Sequence, residues 1–201
     1  DGYPKTLVTD LDGNKYNTVQ IGNQVWMAEN LKTTRYSNGD VIPNVTDNTS
    51  WAGLTTGAYC FYNNDPSFKN SYGALYNLYA VTDSRKLCPQ GWHVPSDAEW
   101  TTLVNYLTNE GYGFDGSGND IAKSMAATSG WAADATPGNV GNDQPSNNSL
   151  GFNALPSGHR PFNGSAFGGA GIYLDWWSST PTYYRSMHSA KIGRASCRER
   201  V

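Results

Sequence analysis

The stretch GWHVPSDAEW, residues 91–100, holds the clearest local structural signal in the chain. Its segment Ser96-Asp97-Ala98-Glu99 has the form of a capping box, in which the serine oxygen and the glutamate carboxylate each satisfy an otherwise unpaired backbone N–H at a helix start. The apolar residues that follow recur at the spacing of one helical face, and they are Trp100, Leu103, Val104 and Leu107. We therefore predict a helix over residues 96–109 that packs on a hydrophobic core.

Strands are predicted on the N-terminal side of this helix. Between residues 5 and 27, two turns rich in glycine and asparagine, at residues 12–14 and 22–23, separate runs that contain β-branched residues. Turns at such short spacing favour a β-meander. The polar and turn-rich residues 32–57 are predicted as a loop.

A second helix is predicted over residues 74–82, because Leu75, Leu78 and Tyr79 follow the i, i+3, i+4 pattern of one helical face. Farther along the chain, residues 111–171 are rich in Gly, Asn, Ser and Pro and show little periodicity. An irregular region of this length is unusual unless it has a function or is packed by its own side chains.

The C-terminal part of the chain predicts two strands, residues 173–180 and 183–192, on either side of Pro181. A short helical candidate, residues 121–128, interrupts the irregular region that precedes them. Neither a shift in composition nor an internal repeat divides the chain, so we expect one domain. The predicted class is α+β, with two helices packed beside a twisted antiparallel sheet and with long loops.

The surface is expected to be poor in charge. Charged residues make up 15% of the chain, against roughly 25% in ordinary soluble domains, whereas Asn occurs 20 times, Gly 22 times and Tyr 13 times. The net charge of −3 argues against nucleic-acid binding, and no apolar run approaches the ~18 residues of a membrane span. The seven tryptophans argue against disorder. A composition rich in Asn, Gly and Tyr, together with four N-x-S/T triplets, is typical of a secreted or cell-surface protein.

The last ten residues, IGRASCRERV, differ in composition from the rest of the chain. Their back-translation with permitted codons resembles a common sequencing adaptor read in frame. We therefore expect a single native domain over residues 1–191, cut short at its C-terminus, followed by a foreign tail at residues 192–201. On this hypothesis Cys197 carries no structural meaning.

Four ordered motifs give the chain a family resemblance. They are VTDLDGNKYNTVQIGNQVWMAENLKTTRY (residues 8–36), GWHVPSDAEW (91–100), GFNALPSGHR (151–160) and WWSST (176–180). Together they resemble the Fibrobacter succinogenes major paralogous domain family. The resemblance implies a C-type-lectin-like fold in a secreted or surface protein with no assigned catalytic activity. The segment GWHVPSDAEW is also similar to the corresponding helix start in formylglycine-generating enzymes.

The two remaining cysteines, Cys60 and Cys88, have no histidine motif beside them, so we expect structural roles. They are candidates for a disulfide with each other. Alternatively, Cys88 lacks its partner, because the resemblance implies a final strand carrying a cysteine that this sequence does not have. Formylglycine-generating enzymes need a reactive cysteine pair near the far end of the domain, and the native sequence has nothing equivalent there.

If the chain binds a metal ion, the sequence favours calcium. Oxygen-bearing side chains lie close together at Asp115, Ser117, Asn119 and Asp120, a pattern that can converge on a hard cation. This segment lacks the glycine and the final glutamate of an EF-hand loop. The chain also lacks the paired motifs of sugar-binding C-type lectins, for which Gln144-Pro145-Ser146 is only a partial match. A calcium-independent protein without a cofactor is therefore favoured, with calcium left as an alternative.

The aromatic residues near the C-terminus are the candidate binding surface. In Trp176-Trp177, strand alternation predicts one indole facing inward and one outward. Rings surrounded by Ser, Gly and Asn are typical of adaptable recognition surfaces, although they also fit ordinary core aromatics beneath long loops. The candidate binding residues are Phe162, Asn163, Phe167, Tyr173, Trp176, Tyr183 and Tyr184.

The sequence thus predicts a non-enzymatic extracellular or cell-surface module. Its expected partner is a glycan, a protein or copies of itself in a surface structure such as a filament. Low charge favours self-association because little repulsion opposes it. The alternative is an enzyme of the formylglycine-generating or glycosidase type.

Overall fold

Short strands and short helices alternate in the structure, a computed structural model that describes residues 7–116, 120–180 and 184–189. The strands in these ranges are β1 (Val8–Thr9), β2 (Lys15–Tyr16), β3 (Thr18–Ile21), β4 (Gln24–Met27), β5 (Tyr59–Cys60), β6 (Leu75–Tyr76), β7 (Ser157–His159), β8 (Gly168–Ala170), β9 (Tyr173–Trp177) and β10 (Tyr184–His188). The α-helices are α1 (Asn48–Ala52), α2 (Lys69–Tyr72), α3 (Leu78–Val81), α4 (Asp97–Asn109) and α5 (Ala122–Met125). Single 3-10 turns lie at Tyr62–Asn64, Pro66–Phe68 and Gln144–Ser146. The α+β class is therefore confirmed, and none of the described helices is long and apolar enough to cross a membrane.

Helix α4 is the predicted helix after Pro95. The Ser96 hydroxyl accepts a hydrogen bond from the backbone N–H of Glu99 at 3.3 Å, and the Glu99 carboxylate accepts one from the N–H of Ser96 at 2.8 Å. This reciprocal pair is the capping box that the sequence indicates. Trp100, Leu103 and Leu107 are buried, so the apolar face packs on the core as predicted.

The helix predicted over residues 74–82 is only partly present. Its first residues form strand β6, which pairs with β5 with Leu75 opposite Cys60. Asn77 then starts the four-residue helix α3, because its side-chain oxygen accepts a hydrogen bond from the N–H of Ala80 at 3.0 Å. Asparagine is favoured at such an N-cap and disfavoured inside a helix. The apolar pattern was therefore divided between a strand and a helix.

The N-terminal strands form two separate hairpins rather than one continuous meander. Strand β1 pairs with β2 and β3 pairs with β4, each antiparallel, and the two pairs belong to different sheets. Asn17 lies between them, where its backbone N–H and its side-chain amide donate to the Glu29 carboxylate at 2.6 and 2.5 Å. These contacts hold the chain at the junction of the two hairpins.

The structure also corrects the predictions for residues 32–57 and 121–128. The predicted loop over residues 32–57 contains helix α1, which has Asp47 as its N-cap and buries Trp51. The sequence shows no apolar helical pattern here, because Trp51 is the one residue of α1 that is buried. The helical candidate over residues 121–128 is confirmed only as the four-residue helix α5.

The largest sheet is mixed rather than antiparallel. Its strand order is β10-β9-β7-β8, in which β9 pairs antiparallel with β10, and β7 pairs antiparallel with β8. Strand β7 pairs parallel with β9, with Gly158 opposite Leu174. The chain reverses direction between β7 and β8 and again between β8 and β9. Strand β9 therefore runs in the same direction as β7.

Strand β9 lies between two hydrophobic clusters. The larger cluster joins α4, α5, β4 and the sheet, and Trp176 packs against it. Trp177 points the other way and packs against a second cluster around Tyr36 and Phe61, where its indole N–H donates to the carbonyl of Tyr76 at 2.7 Å. The two indoles point to opposite faces, as the alternation predicts, and both are half-buried. The strand alternates as expected, but both of its faces are covered at this end.

Candidate functional site

The two faces of the C-terminal sheet differ in what covers them. Successive side chains on a strand point to opposite faces, and one face packs Leu174 and Met187 into the larger cluster. The register places the following side chains on the other face, and we call this set the open face: His159 on β7, Tyr173 and Asp175 on β9, and Tyr184 and Ser186 on β10. All five line a groove of about 1370 Å³.

The open face carries hydrogen-bonding groups that have no partner among the described residues. Asp175 and Ser186 lie directly opposite each other on β9 and β10. The Asp175 carboxylate lies 3.8 Å from Nδ1 of His159, which is too far for a hydrogen bond. No other described residue pairs with the side chain of Asp175 or of Ser186. These groups are half-buried and remain available to a ligand in the groove.

Aromatic rings stand along the groove on several different elements. Tyr173 is 36% exposed, and its ring lies between those of His188 and His159, with centroids 4.6 and 6.1 Å away. Tyr79 at helix α3 and Phe162, which follows β7, are 47% and 62% exposed. The groove therefore presents several flat apolar surfaces beside the polar groups of the open face.

Other aromatic residues of the groove lining belong to the core side of β9 rather than to the open face. Trp100 lies between Trp26 and Trp176, with ring centroids 4.7 and 5.3 Å away, and the ring of Phe152 contacts that of Trp176 at 5.8 Å. These rings belong to or pack on the larger hydrophobic cluster. The groove lining therefore extends from the open face to rings that are packed in the core.

At the beginning of α4, a pair formed by a carboxylate and an imidazole borders the groove. The Glu99 carboxylate of the capping box also lies 2.8 Å from Nε2 of His93. Partial burial by itself raises the pKa of Glu99, but the hydrogen bonds from Ser96 and His93 outweigh that effect and hold the pKa below its usual value. Glu99 is therefore charged at neutral pH, and it adds a negative charge to the groove lining.

Arg160 secures the groove wall where the chain leaves β7. Its side chain is 8% exposed, and its guanidinium donates to the carbonyls of Val45 and Thr46 at 2.6 and 3.0 Å. The guanidinium carbon also lies 4.2 Å from the ring centroid of Trp51 and 5.0 Å from that of Phe167. A planar group with several donors can make all of these contacts at once. Arg160 thus ties the end of β7 to a segment more than a hundred residues earlier in the chain.

Comparison with known proteins identifies the family. The profile of the Fibrobacter succinogenes major domain matches residues 19–200. The chain belongs to this family. No curated protein and no solved structure matches it. The resemblance carried by the four sequence motifs is therefore confirmed.

Within this family member, Cys60 and Cys88 are buried free thiols rather than a disulfide. Burial raises the pKa of Cys88 to about 12 and raises that of Cys60, although Arg160 partly offsets the effect at Cys60. Cys60 packs in an apolar cluster with Trp51, which explains its role without a bond to Cys88. The predicted pairing of the two is wrong in this structure, and Cys197 lies outside the described residues.

The calcium candidate is described at two of its four positions. Asp115 is exposed, and Oδ2 of Asp120 accepts a hydrogen bond from the N–H of Phe114 at 2.7 Å. A Cβ on Gly113 would overlap the Asp120 carboxylate, so this carboxylate packs against the turn. Ser117 and Asn119 lie outside the described residues. In the described ranges, no group of three or more His, Cys, Asp or Glu residues could hold a metal ion.

The groove brings together some of the predicted binding residues. Phe162, Tyr173, Trp176 and Tyr184 line it. Two others lie elsewhere: Asn163 is exposed and accepts a hydrogen bond from the N–H of Ser165, and Phe167 packs edge-on against Tyr62 at 5.6 Å. Tyr183 lies outside the described residues.

Sequence reasoning missed His159, Asp175, Ser186 and Arg160. Period-two alternation in YLDWW and YRSMH places Tyr173 with Asp175 and Tyr184 with Ser186, so this part of the open face could have been found. His159 joins them only through the parallel pairing of β7 with β9.

Proposed function

We propose that this chain is a non-enzymatic extracellular or cell-surface module that binds carbohydrate in the groove over the open face. The observation that carries the proposal is the pair formed by Asp175 and Ser186, whose polar groups have no hydrogen-bond partner among the described residues and lie beside exposed rings. Sugar rings present hydroxyls at their edges and apolar C–H groups on their faces. A concave site with a few polar groups among aromatic side chains suits both.

The remaining features of the chain support this proposal. Its low charge and its abundance of Asn, Gly and Tyr suit a protein that works outside the cell. The α+β architecture is compatible with the C-type-lectin-like fold that the family resemblance implies. Because the groove supplies its own donors and acceptors, we propose that binding does not depend on calcium.

A non-enzymatic role is supported by the state of the two thiols. Nucleophilic cysteines need a thiolate, and burial holds Cys88 in the protonated form at neutral pH. Chemistry of the formylglycine-generating type therefore has no activated cysteine among the described residues. Glycoside hydrolysis, the other enzymatic alternative, is tested by incubating the protein with each bound polysaccharide and measuring new reducing ends, of which we expect none.

Binding is best tested with a matched pair of phenylalanine variants. Phe162 lines the groove and Phe114 does not, yet the two are similarly exposed, at 62% and 56%. The wild type is screened against a panel of plant, fungal and bacterial polysaccharides by affinity electrophoresis, with and without a chelator. We expect Phe162→Ala to weaken binding about tenfold and Phe114→Ala to leave it unchanged. Equal binding by both variants, or no binding across the panel, would refute the proposal.

Self-assembly into a surface structure is a second candidate function. Ile172 and Tyr173 are exposed next to each other where the chain enters β9, and the low charge opposes association only weakly. If this function is correct, size-exclusion chromatography of the wild type shows large species and Ile172→Asp reduces them to monomers. A monomer at all concentrations would exclude it.

A further inference from the structure

We infer that the groove selects neutral polysaccharides, holds several sugar units at once and rejects anionic glycans. This inference rests on the proposed carbohydrate binding and adds the class of ligand. It follows from the charges along the groove, from its size and from the positions of its exposed rings.

Negative charge dominates the lining. Among the described residues that line the groove, the carboxylates are Glu29, Glu99 and Asp175, and lysine is absent. Asp175 is the acid on the open face, with the imidazole Nδ1 of His159 3.8 Å from its carboxylate. No lysine or arginine among the described residues pairs with this carboxylate. A carboxylate or sulfate group on a ligand would be repelled at this position, and the repulsion would be strengthened by partial burial.

Among the described lining residues, Arg160 alone carries a guanidinium, and its two NH₂ groups are already occupied. They donate to backbone carbonyls of residues 45 and 46, and the group is packed between the rings of Trp51 and Phe167. Binding an anion would require Arg160 to leave these contacts. The remaining N–H of this guanidinium, at Nε, is buried. Among the described lining residues, no lysine or arginine is therefore free to pair with an acidic glycan.

The size of the groove exceeds the needs of one sugar. Pockets for small molecules typically enclose about 300–1,000 Å³. This groove, whose lining extends beyond the open face to Trp26, Trp100 and Phe152, encloses about 1370 Å³. Its exposed rings, Tyr79, Phe162 and Tyr173, come from three separate segments of the chain. We expect different sugar units of one chain to stack on different rings, so that each added unit strengthens binding.

Length selectivity is tested with oligosaccharides of two to six units derived from the neutral polysaccharide that the wild type binds. Titration calorimetry should show the dissociation constant falling at least about tenfold from the disaccharide to the hexasaccharide. Equal affinity for all lengths would overturn this part of the inference while leaving carbohydrate binding intact.

Charge selectivity is tested with the same polysaccharide before and after carboxymethylation. We expect the carboxymethylated form to bind about tenfold more weakly at low salt, and we expect Asp175→Asn to reduce this difference because it removes the repelling charge. Asp40→Asn is the matched control, because Asp40 is exposed and does not line the groove. Equal or tighter binding of the carboxymethylated form by the wild type would overturn the inference.

A third arm tests a different class of ligand, since an acidic groove with aromatic rings also suits cations. The probe is an oligolysine peptide of six residues. Binding of this peptide in place of every neutral polysaccharide would refute both the inference and the proposed function. Binding of neutral and acidic glycans alike would refute the inference alone.

Discussion

The core face and the open face of the C-terminal sheet are built from the same strands, yet their side chains have different environments. On the core face, Leu174 and Met187 are buried among the residues of the larger hydrophobic cluster. On the open face, Asp175 and Ser186 have no hydrogen-bond partner among the described residues, and Tyr173 is partly exposed. Alternation along a strand thus places stabilising and ligand-accessible residues one position apart.

This difference predicts that stability and binding can be separated by mutation within a single strand. A residue buried in a close-packed cluster contributes to stability because its removal leaves a cavity. An unpaired polar residue at a groove contributes little to stability because its removal breaks no contact. The variants below test this separation, beginning with the largest expected effect.

Leu174→Ala should lower the free energy of unfolding by about 2–5 kcal/mol, because it opens a cavity in the larger cluster. Leu174 is 1% exposed and sits in the centre of the sheet. The neighbouring variant Tyr173→Ala is the control, with an expected loss below about 1 kcal/mol. Denaturation in guanidinium chloride measures both. A similar loss for the two variants would show that the open face is as tightly packed as the core face.

Arg160→Lys should lower the free energy of unfolding by about 2 kcal/mol and also weaken polysaccharide binding. Lysine keeps the charge, but it cannot donate to the carbonyls of Val45 and Thr46 and stack on Trp51 in one geometry. The control is Arg35→Lys, at an exposed arginine whose change should cost less than about 0.5 kcal/mol. Equal losses would mean that Arg160 does not hold the groove wall.

Local sequence accounts for the parts of the fold whose contacts are close in the chain. The capping box of α4 needs only Ser96 and Glu99, and the first hairpin turn needs only the segment around Gly13, which has a φ of 79° that favours glycine. The prediction over residues 74–82 was partly wrong, because the pairing of Leu75 with Cys60 depends on a distant strand.

The site was harder to predict because distant segments build it. Alternation along each strand groups Asp175 with Tyr173 and Ser186 with Tyr184, but only the strand register shows that Asp175 and Ser186 lie opposite each other. The partners of Arg160 lie 112 to 115 residues away, so no local pattern could have indicated them. The pairing of β7 with β9 was equally hard to predict, because β8 lies between them in the chain but at the edge of the sheet.

Ser186→Ala should weaken polysaccharide binding about fivefold without changing stability. Its hydroxyl has no partner among the described residues, so a hydrogen bond to a ligand is the contact that the change removes. Ser178 provides the opposite control, because it is fully buried away from the groove and its hydroxyl accepts from the N–H of Thr180 at 3.1 Å. Ser178→Ala should lower stability by about 1 kcal/mol and leave affinity unchanged. The reverse pattern, with stability lost at Ser186, would contradict the separation of the two faces.

Glu99→Gln should have the smallest effect, below about 1 kcal/mol, and the effect should depend on pH. Glutamine can keep the capping box, so the variant removes mainly the charge at the start of α4. The pKa of Glu99 in the folded protein is lowered, which means that its charge adds stability above the ordinary carboxyl pKa and that this stability is lost as pH falls through the folded-state pKa. The midpoints of thermal unfolding of the wild type and of Glu99→Gln should therefore differ at pH 7 and converge in acid.

Glu110→Gln, at the other end of the same helix, is the control and should be neutral or slightly stabilising, because a negative charge is unfavourable there. A difference between Glu99→Gln and the wild type that persists in acid would show that the variant disturbs the cap itself rather than its charge.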